Sequence, residues 1–261
     1  MPQPFPGLVM GLKPQRIAIV TGATSGIGEA TVRRFVAEGY AVVGNGRTGE
    51  KLVALEKDLW PLFRGVTGDA SKVEVIEELF TSAEAAFGSA DIVVANAGRG
   101  LGGSVAAGDT GRLRELFELN IMGALELMRA AAKRMVPRQE TGFPASAQDI
   151  VVIGSVVGRN VSPFSALYGA SKFAVHSLAE ALRREIGPKG VRVTLVEPGF
   201  VLSGFQDGAG YSQEMVDGIK SRLGPLLIGS DIADAIQYVV SRPPHVHVGD
   251  LVIRPTRQDY P

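Results

Sequence analysis

Short apolar runs and longer segments of helical period alternate along this chain from Arg16 onward. RIAIVTGA, YAVVGNGR, ADIVVANAG, DIVVIGS and VRVTLVEPG are rich in β-branched residues, and most end in glycine. LFRGVTGD is a weaker run of the same kind. Between them, GEATVRRFVAEG, VEVIEELFTSAEAAFG, RLRELFELNIMGALELMRAAAKRM and FAVHSLAEALRREIG place apolar residues at three- and four-residue spacings, the signature of amphipathic helices. Strand and helix in repeated alternation predict an α/β fold: a parallel sheet with helices on both faces. Right-handed crossovers then make it a doubly wound, Rossmann-type sheet.

Two connections depart from this rhythm. QETGFPASAQ (139–148) reads as a polar connector ahead of the fifth confident strand. The stretch from Phe200 to Gly229 is longer, with one weak helix expected around Gln213 to Lys220. Long connections in compact folds are usually functional, and this one follows a strand end where open α/β sheets bind ligands. A substrate lid around 200–229 is therefore expected. Ser230 or Asp231 should cap the next helix, and HVHVGDLVIRP reads as the last strand. The opening MPQPFPGLVMGLKPQR, interrupted by prolines, reads as a loose leader over 1–15 rather than a signal peptide, with a single domain over 16–261.

Composition narrows the functional classes. Lys plus Arg and Asp plus Glu both number 27, so no net charge favours nucleic acid or an anionic membrane as partner. No cysteine is present, which excludes disulfides and thiolate-held metals. The three histidines, two of them in HVH, make a poor metal site; alternation along a strand explains that pair. No apolar run reaches the roughly 18 residues of a membrane span. A soluble, cytoplasmic protein acting on small molecules is expected.

IVTGATSGIGEA joins the first strand to the first helix and holds Gly22, Ser25, Gly26, Ile27 and Gly28. Glycines there let backbone amides approach a pyrophosphate that the helix N-terminus attracts. A dinucleotide-binding turn usually has an acidic residue about 20 positions on, to hold the adenosine ribose. Here the second strand ends in GNGRT, without a carboxylate. Arg47, with Thr48 beside it, could instead pair with a 2′-phosphate, so NADP(H) is expected in preference to NAD(H).

SALYGASKFAV (165–175) sets Tyr168 and Lys172 one helical turn apart, on one face if the segment is helical. With TGATSGIG, ANAG, the helix carrying Asn120, and Ser155, the sequence resembles the short-chain dehydrogenase/reductase family from Arg16 to about Ser203. The resemblance implies that Tyr168 is the catalytic acid/base, with the Lys172 ammonium favouring its phenolate and holding the nicotinamide ribose. It implies that Ser155 polarises the substrate oxygen, and that Asn120 helps hold a water linking the lysine to solvent. Asp69 would meet the adenine, Asn96, Ala97 and Gly98 the adenosine ribose, and Pro198, Gly199, Val201 and Ser203 the nicotinamide carboxamide. The family more often has threonine at the position of Ser203 and asparagine at that of Ala95.

A hydride transfer between a nicotinamide and a carbonyl compound, or a primary or secondary alcohol, follows from that resemblance. The alternative is a non-catalytic NADP-binding sensor or scaffold, which would not need Ser155, Tyr168 and Lys172 together. Phe205, Tyr211 and Met215 make the lid partly apolar. The ending PPHVHVGDLVIRPTRQ and the layout EPGFVLSGF resemble a bacterial branch that includes NADP-dependent 3-hydroxy acid (serine-type) dehydrogenases and some aldehyde reductases of secondary metabolism. Arg99 and Arg159, each just past a site motif, are candidate partners for a substrate carboxylate. The family also implies a homo-oligomer, tetramer or dimer, packed through the helices that carry Asn120 and Tyr168.

Overall fold

A computed structural model describes residues 14–163 and 165–259, apart from the side chain at 207. The expected leader lies outside the described residues up to position 13. Gln15 already belongs to the fold, since its N–H donates to the Gly39 carbonyl at 3.1 Å.

The elements follow in the order β1 (Ile17–Val20), α1 (Gly26–Ala37), β2 (Ala41–Gly46), α2 (Gly49–Leu59), β3 (Phe63–Thr67), α3 (Val73–Ala86), β4 (Ile92–Ala95) and α4 (Thr110–Phe117). A π-helical turn, Glu118–Gly123, leads into α5 (Ala124–Gly142), β5 (Gln148–Ile153), α6 (Ala166–Ile186) and β6 (Val191–Pro198). Then come β7 (Val201–Leu202), α7 (Phe205–Ala209), α8 (Gln213–Leu223), β8 (Leu227–Ile228), α9 (Gly229–Val240) and β9 (Asp250–Ile253).

Seven strands form one parallel sheet in the order β3-β2-β1-β4-β5-β6-β9, the Rossmann-type arrangement expected from the sequence. Successive strand residues face opposite layers. Ile19, Val93, Ile150 and Val152 pack with the apolar sides of α3, α5 and α6. Val20, Val94, Val151 and Ile153 pack with α1, α2 and α9. Both faces are covered, which explains why these strands read as unbroken apolar runs rather than alternating ones.

The chain reverses direction across the sheet between β1 and β4, whose residues Val20 and Val94 are paired. The crevice at that switch point is where open α/β sheets hold ligands. At the opposite edge, Asp149 is buried and accepts two bonds from Arg192, from Nε at 2.7 Å and Nη2 at 2.8 Å. Arg16 Nη2 adds a third at 2.7 Å. The two guanidiniums also donate to the carbonyls of Asp91, Ala147, Val240, Arg242, Pro243 and Val246, so this ionic cluster is hydrogen-bonded throughout.

Several boundaries differ from the sequence reading. Helix α2 was not expected. Helix α5 runs through Pro137 to Gly142, taking the first part of the expected connector. The last strand starts only at Asp250, and His247 Nε2 lies 2.9 Å from the Val193 carbonyl instead of alternating on a strand. Within 200–229 the expected helix is α8, but α7 and the parallel β7–β8 pair were not anticipated. Asp231 does cap α9, its Oδ2 accepting from the Ile228 N–H at 2.8 Å.

Candidate active site

The motif residues gather at the C-terminal edge of the sheet. β1 ends in the glycine turn, where Gly22 and Gly26 have φ of +68° and +54°, left-handed values that favour glycine. At Gly28 the limit is space: an added Cβ would lie 2.1 Å from the Gly22 carbonyl oxygen and 2.5 Å from Asn96 Nδ2. Thr21 Oγ1 accepts from the N–H groups of Asn96 (3.1 Å) and Ala97 (3.0 Å). Asn96 Nδ2 in return donates to the Thr21 carbonyl at 2.8 Å. Asn96 and Ala97 thus hold the turn to the end of β4, with Gly98 beyond them. Thr21 was not singled out from the sequence, although its place ahead of the glycines was a signal.

This cradle of left-handed glycines at the start of α1, too tight for a side chain at 28, fits a dinucleotide pyrophosphate. Arg47 and Thr48 are exposed just beyond β2. Asp69 follows β3; its Oδ1 accepts from the Ser71 N–H at 2.9 Å. That bond holds the Asp69 carboxyl below its ordinary range, with nearby Lys72 and Arg47 adding to the effect. Pro198 ends β6 and Gly199 follows it. Val201 opens β7, and Ser203 comes to rest on the glycine turn, its Cβ 3.2 Å from where a Gly26 Cβ would stand.

At the other end of the crevice, α6 carries Tyr168 and Lys172 on one face, with Lys172 Nζ 5.8 Å from the Tyr168 ring centre. Ser155 follows β5, and its Oγ accepts from the Val157 N–H at 3.4 Å. Burial pushes the Tyr168 phenol well above the ordinary tyrosine value, and the nearby Ser155 hydroxyl opposes this only in part. Lys172 is 7% exposed, and burial lowers its ammonium to about 8. Its Nζ donates to the Ile153 carbonyl at 2.7 Å. Desolvation thus favours the protonated phenol.

Asn120 sits in the π turn rather than in regular helix, and π turns are frequent at functional sites. Its Oδ1 accepts from the Arg99 N–H at 2.9 Å. Its Nδ2 donates to the Arg99 carbonyl (3.0 Å) and to Ser171 Oγ (3.1 Å). The side chain staples the loop after β4 to α6, both amide hydrogens being engaged by protein.

The two arginines proposed for a carboxylate already have partners. Arg99 Nη1 lies 2.9 Å from Glu115 Oε2. Arg159 Nε and Nη2 clasp the two oxygens of Glu197, which is fully buried. Of the expected lid aromatics, Phe205 packs edge-on against Tyr168 with ring centres 5.4 Å apart. Tyr211 packs on Phe200 at 6.0 Å, and Met215 is 54% exposed. Leu101 and Ala209 are buried beside Gly100, where a Cβ would meet Ala209 and the Phe205 ring at 2.6 Å. Among the described residues no cluster of three or more His, Asp or Glu could hold a metal, and no helix is long and apolar enough to cross a membrane.

The short-chain dehydrogenase model matches residues 16–213, and the chain belongs to that family of oxidoreductases. A serine 3-dehydrogenase of Agrobacterium fabrum is 32% identical over 247 residues, covering 93% of this chain and 94% of its own. An uncharacterised oxidoreductase of Staphylococcus saprophyticus is 33% identical over 247 residues, 92% of this chain and 97% of its own. Among solved structures, the closed form of serine dehydrogenase complexed with NADP+ superposes with a TM-score of 0.84 at 30% identity, over 94% of this chain and 96% of that one. The family member described here therefore stands near the serine-type dehydrogenases.

Proposed function

We propose that this chain is an NADP(H)-dependent oxidoreductase acting on carbonyl compounds and the corresponding primary or secondary alcohols, with Tyr168 as acid/base. The observation that carries this reading is the convergence of Ser155, just past β5, with Tyr168 and the buried Lys172 one turn apart on α6, Lys172 Nζ lying 5.8 Å from the phenol ring centre. The NADP+ bound by the serine dehydrogenase neighbour supports the choice of cofactor, as does Arg47 where a ribose-binding carboxylate would otherwise stand.

When bound, the reduced dinucleotide supplies a hydride, the two electrons and hydrogen that reduce the carbonyl carbon. Gly22, Ser25, Gly26, Ile27 and Gly28 would hold its phosphates, and Arg47 with Thr48 the 2′-phosphate. Asp69 would face the adenine, Asn96, Ala97 and Gly98 the adenosine ribose, and Pro198, Gly199, Val201 and Ser203 the carboxamide. Ser155 orients the substrate oxygen, and Tyr168 delivers the proton that completes the alcohol. Lys172 holds the nicotinamide ribose and carries the positive charge that steadies the phenolate left behind. In oxidation the same groups act in reverse. Asn120 fixes the helix that presents them.

Segment 200–229 serves as the lid. Phe205 packs on Tyr168 with Leu101 and Ala209 buried beside Gly100, and Arg159 is held by the buried Glu197, so a neutral carbonyl compound fits better than a 3-hydroxy acid.

The test is oxidation of NADPH and of NADH by the purified protein over a panel of aldehydes, ketones and 3-oxo acids, with Tyr168→Phe as control. Turnover with NADPH on neutral compounds, lost in Tyr168→Phe, is expected. Tight NADPH binding without turnover on any compound would favour a sensor instead.

A further inference from the structure

Tyr168, Lys172 and His176 recur at four-residue intervals along one face of α6. The third of these has no part in the reaction as described above. Its ring nevertheless touches the site directly: Nε2 lies 3.2 Å from the Ser155 backbone nitrogen, which donates to it. On the other side, Nδ1 is 3.7 Å from Oε2 of the fully buried Glu197. Glu197 is in turn clasped by both donor edges of Arg159, which also reaches Asp250 Oδ2 at 3.5 Å.

The ring occupies a slot made for it. A Cβ added to Gly154 would lie 2.3 Å from His176 Nε2, and one added to Gly158 would lie 2.5 Å from the same atom. Two glycines flanking Ser155 thus leave the width of an imidazole between the β5 end and α6. An acceptor at Nε2 requires the proton to reside on Nδ1, and the buried carboxylate beside Nδ1 favours that tautomer.

We propose that His176, kept in its Nδ1–H tautomer by Glu197 and through it by Arg159, is a positioning residue that fixes the Ser155 backbone so that the serine hydroxyl meets the Tyr168 phenol. This rests on the functional reading above. Burial pushes the imidazole down to about 4, so the ring stays a neutral acceptor across the working range. The charged groups that face it are Glu197 from β6, Lys172 from its own helix, Arg159 from the turn after β5 and Asp250 from β9. Arg159 is thereby assigned to this network rather than to substrate.

Two measurements test the proposal. The chain has three histidines, so nitrogen NMR of the histidine-labelled protein, with His176→Gln to assign the signal, reads the tautomer without any substrate. A neutral Nδ1–H ring is expected at pH 6; an Nε2–H or protonated ring overturns the proposal. For turnover, the carbonyl compound reduced fastest in the panel is used with NADPH. His176→Leu should lower kcat by about 10²-fold, the cost of an ångström-scale misplacement, with NADPH affinity unchanged. His176→Gln, whose amide oxygen can reach the Ser155 N–H, should recover most of the loss. An unaltered kcat in His176→Leu, or a Gln variant as impaired as Leu, overturns the role. If His176→Leu does not fold, the tautomer and the Gln variant decide. Full activity in Tyr168→Phe would instead remove the functional reading itself, a separate outcome.

Discussion

Lys172 directs its ammonium to the Ile153 carbonyl, 2.7 Å away, and so ties α6 to β5 two residues before Ser155. The phenol one turn earlier on the helix sits in a desolvated setting that favours its protonated form. Lys172→Met leaves that carbonyl without its donor and removes an ammonium 5.8 Å from the phenol ring centre. A fall in kcat of about 10²-fold is expected, the low end of general acid–base contributions. Wild-type activity should decline above about pH 8, where the buried ammonium loses its proton, and the variant should lack that limb. The measurement is kcat against pH for both proteins; coincident profiles would contradict the assignment.

Arg47→Asp replaces an exposed cation with an anion at the end of β2. A charge-assisted bond is worth roughly 1.5–3 kcal/mol, so NADPH affinity should fall about 10- to 100-fold and NADH affinity should hold or rise. Titration of both cofactors by fluorescence checks this. An unchanged ratio would return Arg47 to the solvent.

Phe205→Ala removes the ring that packs on Tyr168. Loss of an edge-to-face pair costs about 0.5–1.5 kcal/mol beyond the apolar burial lost with the ring, so folding stability should fall by about 1–3 kcal/mol. KM should rise several-fold for apolar ketones and stay level for small polar aldehydes. Parallel changes for both classes would show that Phe205 packs the lid without shaping the pocket.

Asp149→Asn breaks the cluster with Arg16 and Arg192 at the far edge of the sheet. Removing one partner of a buried ion pair costs about 3–5 kcal/mol, and urea denaturation should show a loss of that size. NADPH affinity of the folded protein should be unaffected, because Asp149 is the second residue of β5 whereas the site lies past its other end.

His176 links pH to stability. Its folded value is about 4, lowered from 6.5 mainly by burial. Below pH 6.5 the unfolded chain takes up a proton that the folded chain refuses until about pH 4. Stability is therefore fully present above pH 6.5 and falls as pH drops through that window, by up to roughly 3 kcal/mol. His176→Gln should lose less stability than wild type between pH 7 and pH 4.5, as read from urea midpoints. Identical losses would mean that the ring titrates normally.

Much of this architecture was legible because its signals are local. Glycine spacing after Val20, apolar runs such as IVVA and the Tyr168–Lys172 interval are set by backbone geometry within one turn or one strand, and the Rossmann-type order followed. What the sequence hid depends on partners distant along the chain. Glu197 reads as an ordinary residue before Pro198 until β6 brings it to Arg159, 38 positions away. Thr21 gains its meaning only when β4 places Asn96 beside it. Burial, a property of the assembled fold, raises the Tyr168 phenol and lowers the Lys172 ammonium, which their interval on one helix does not reveal. Helix α7 and the β7–β8 pair escaped notice because five- and two-residue elements carry too little periodicity to register.

The π turn at Glu118–Gly123 has a consequence for chain length. A π turn holds an extra residue within one helical revolution, which rotates everything downstream by about 100° relative to an uninterrupted α-helix. Asn120 faces α6 while Leu127 and Met128 face the sheet, and that phase shift lets one rod satisfy both demands. Deleting a single residue between Glu118 and Gly123 would heal the helix into regular geometry and swing one of the two faces out of register. Substitutions at neighbouring positions change side chains; a one-residue deletion here changes which way the whole helix looks.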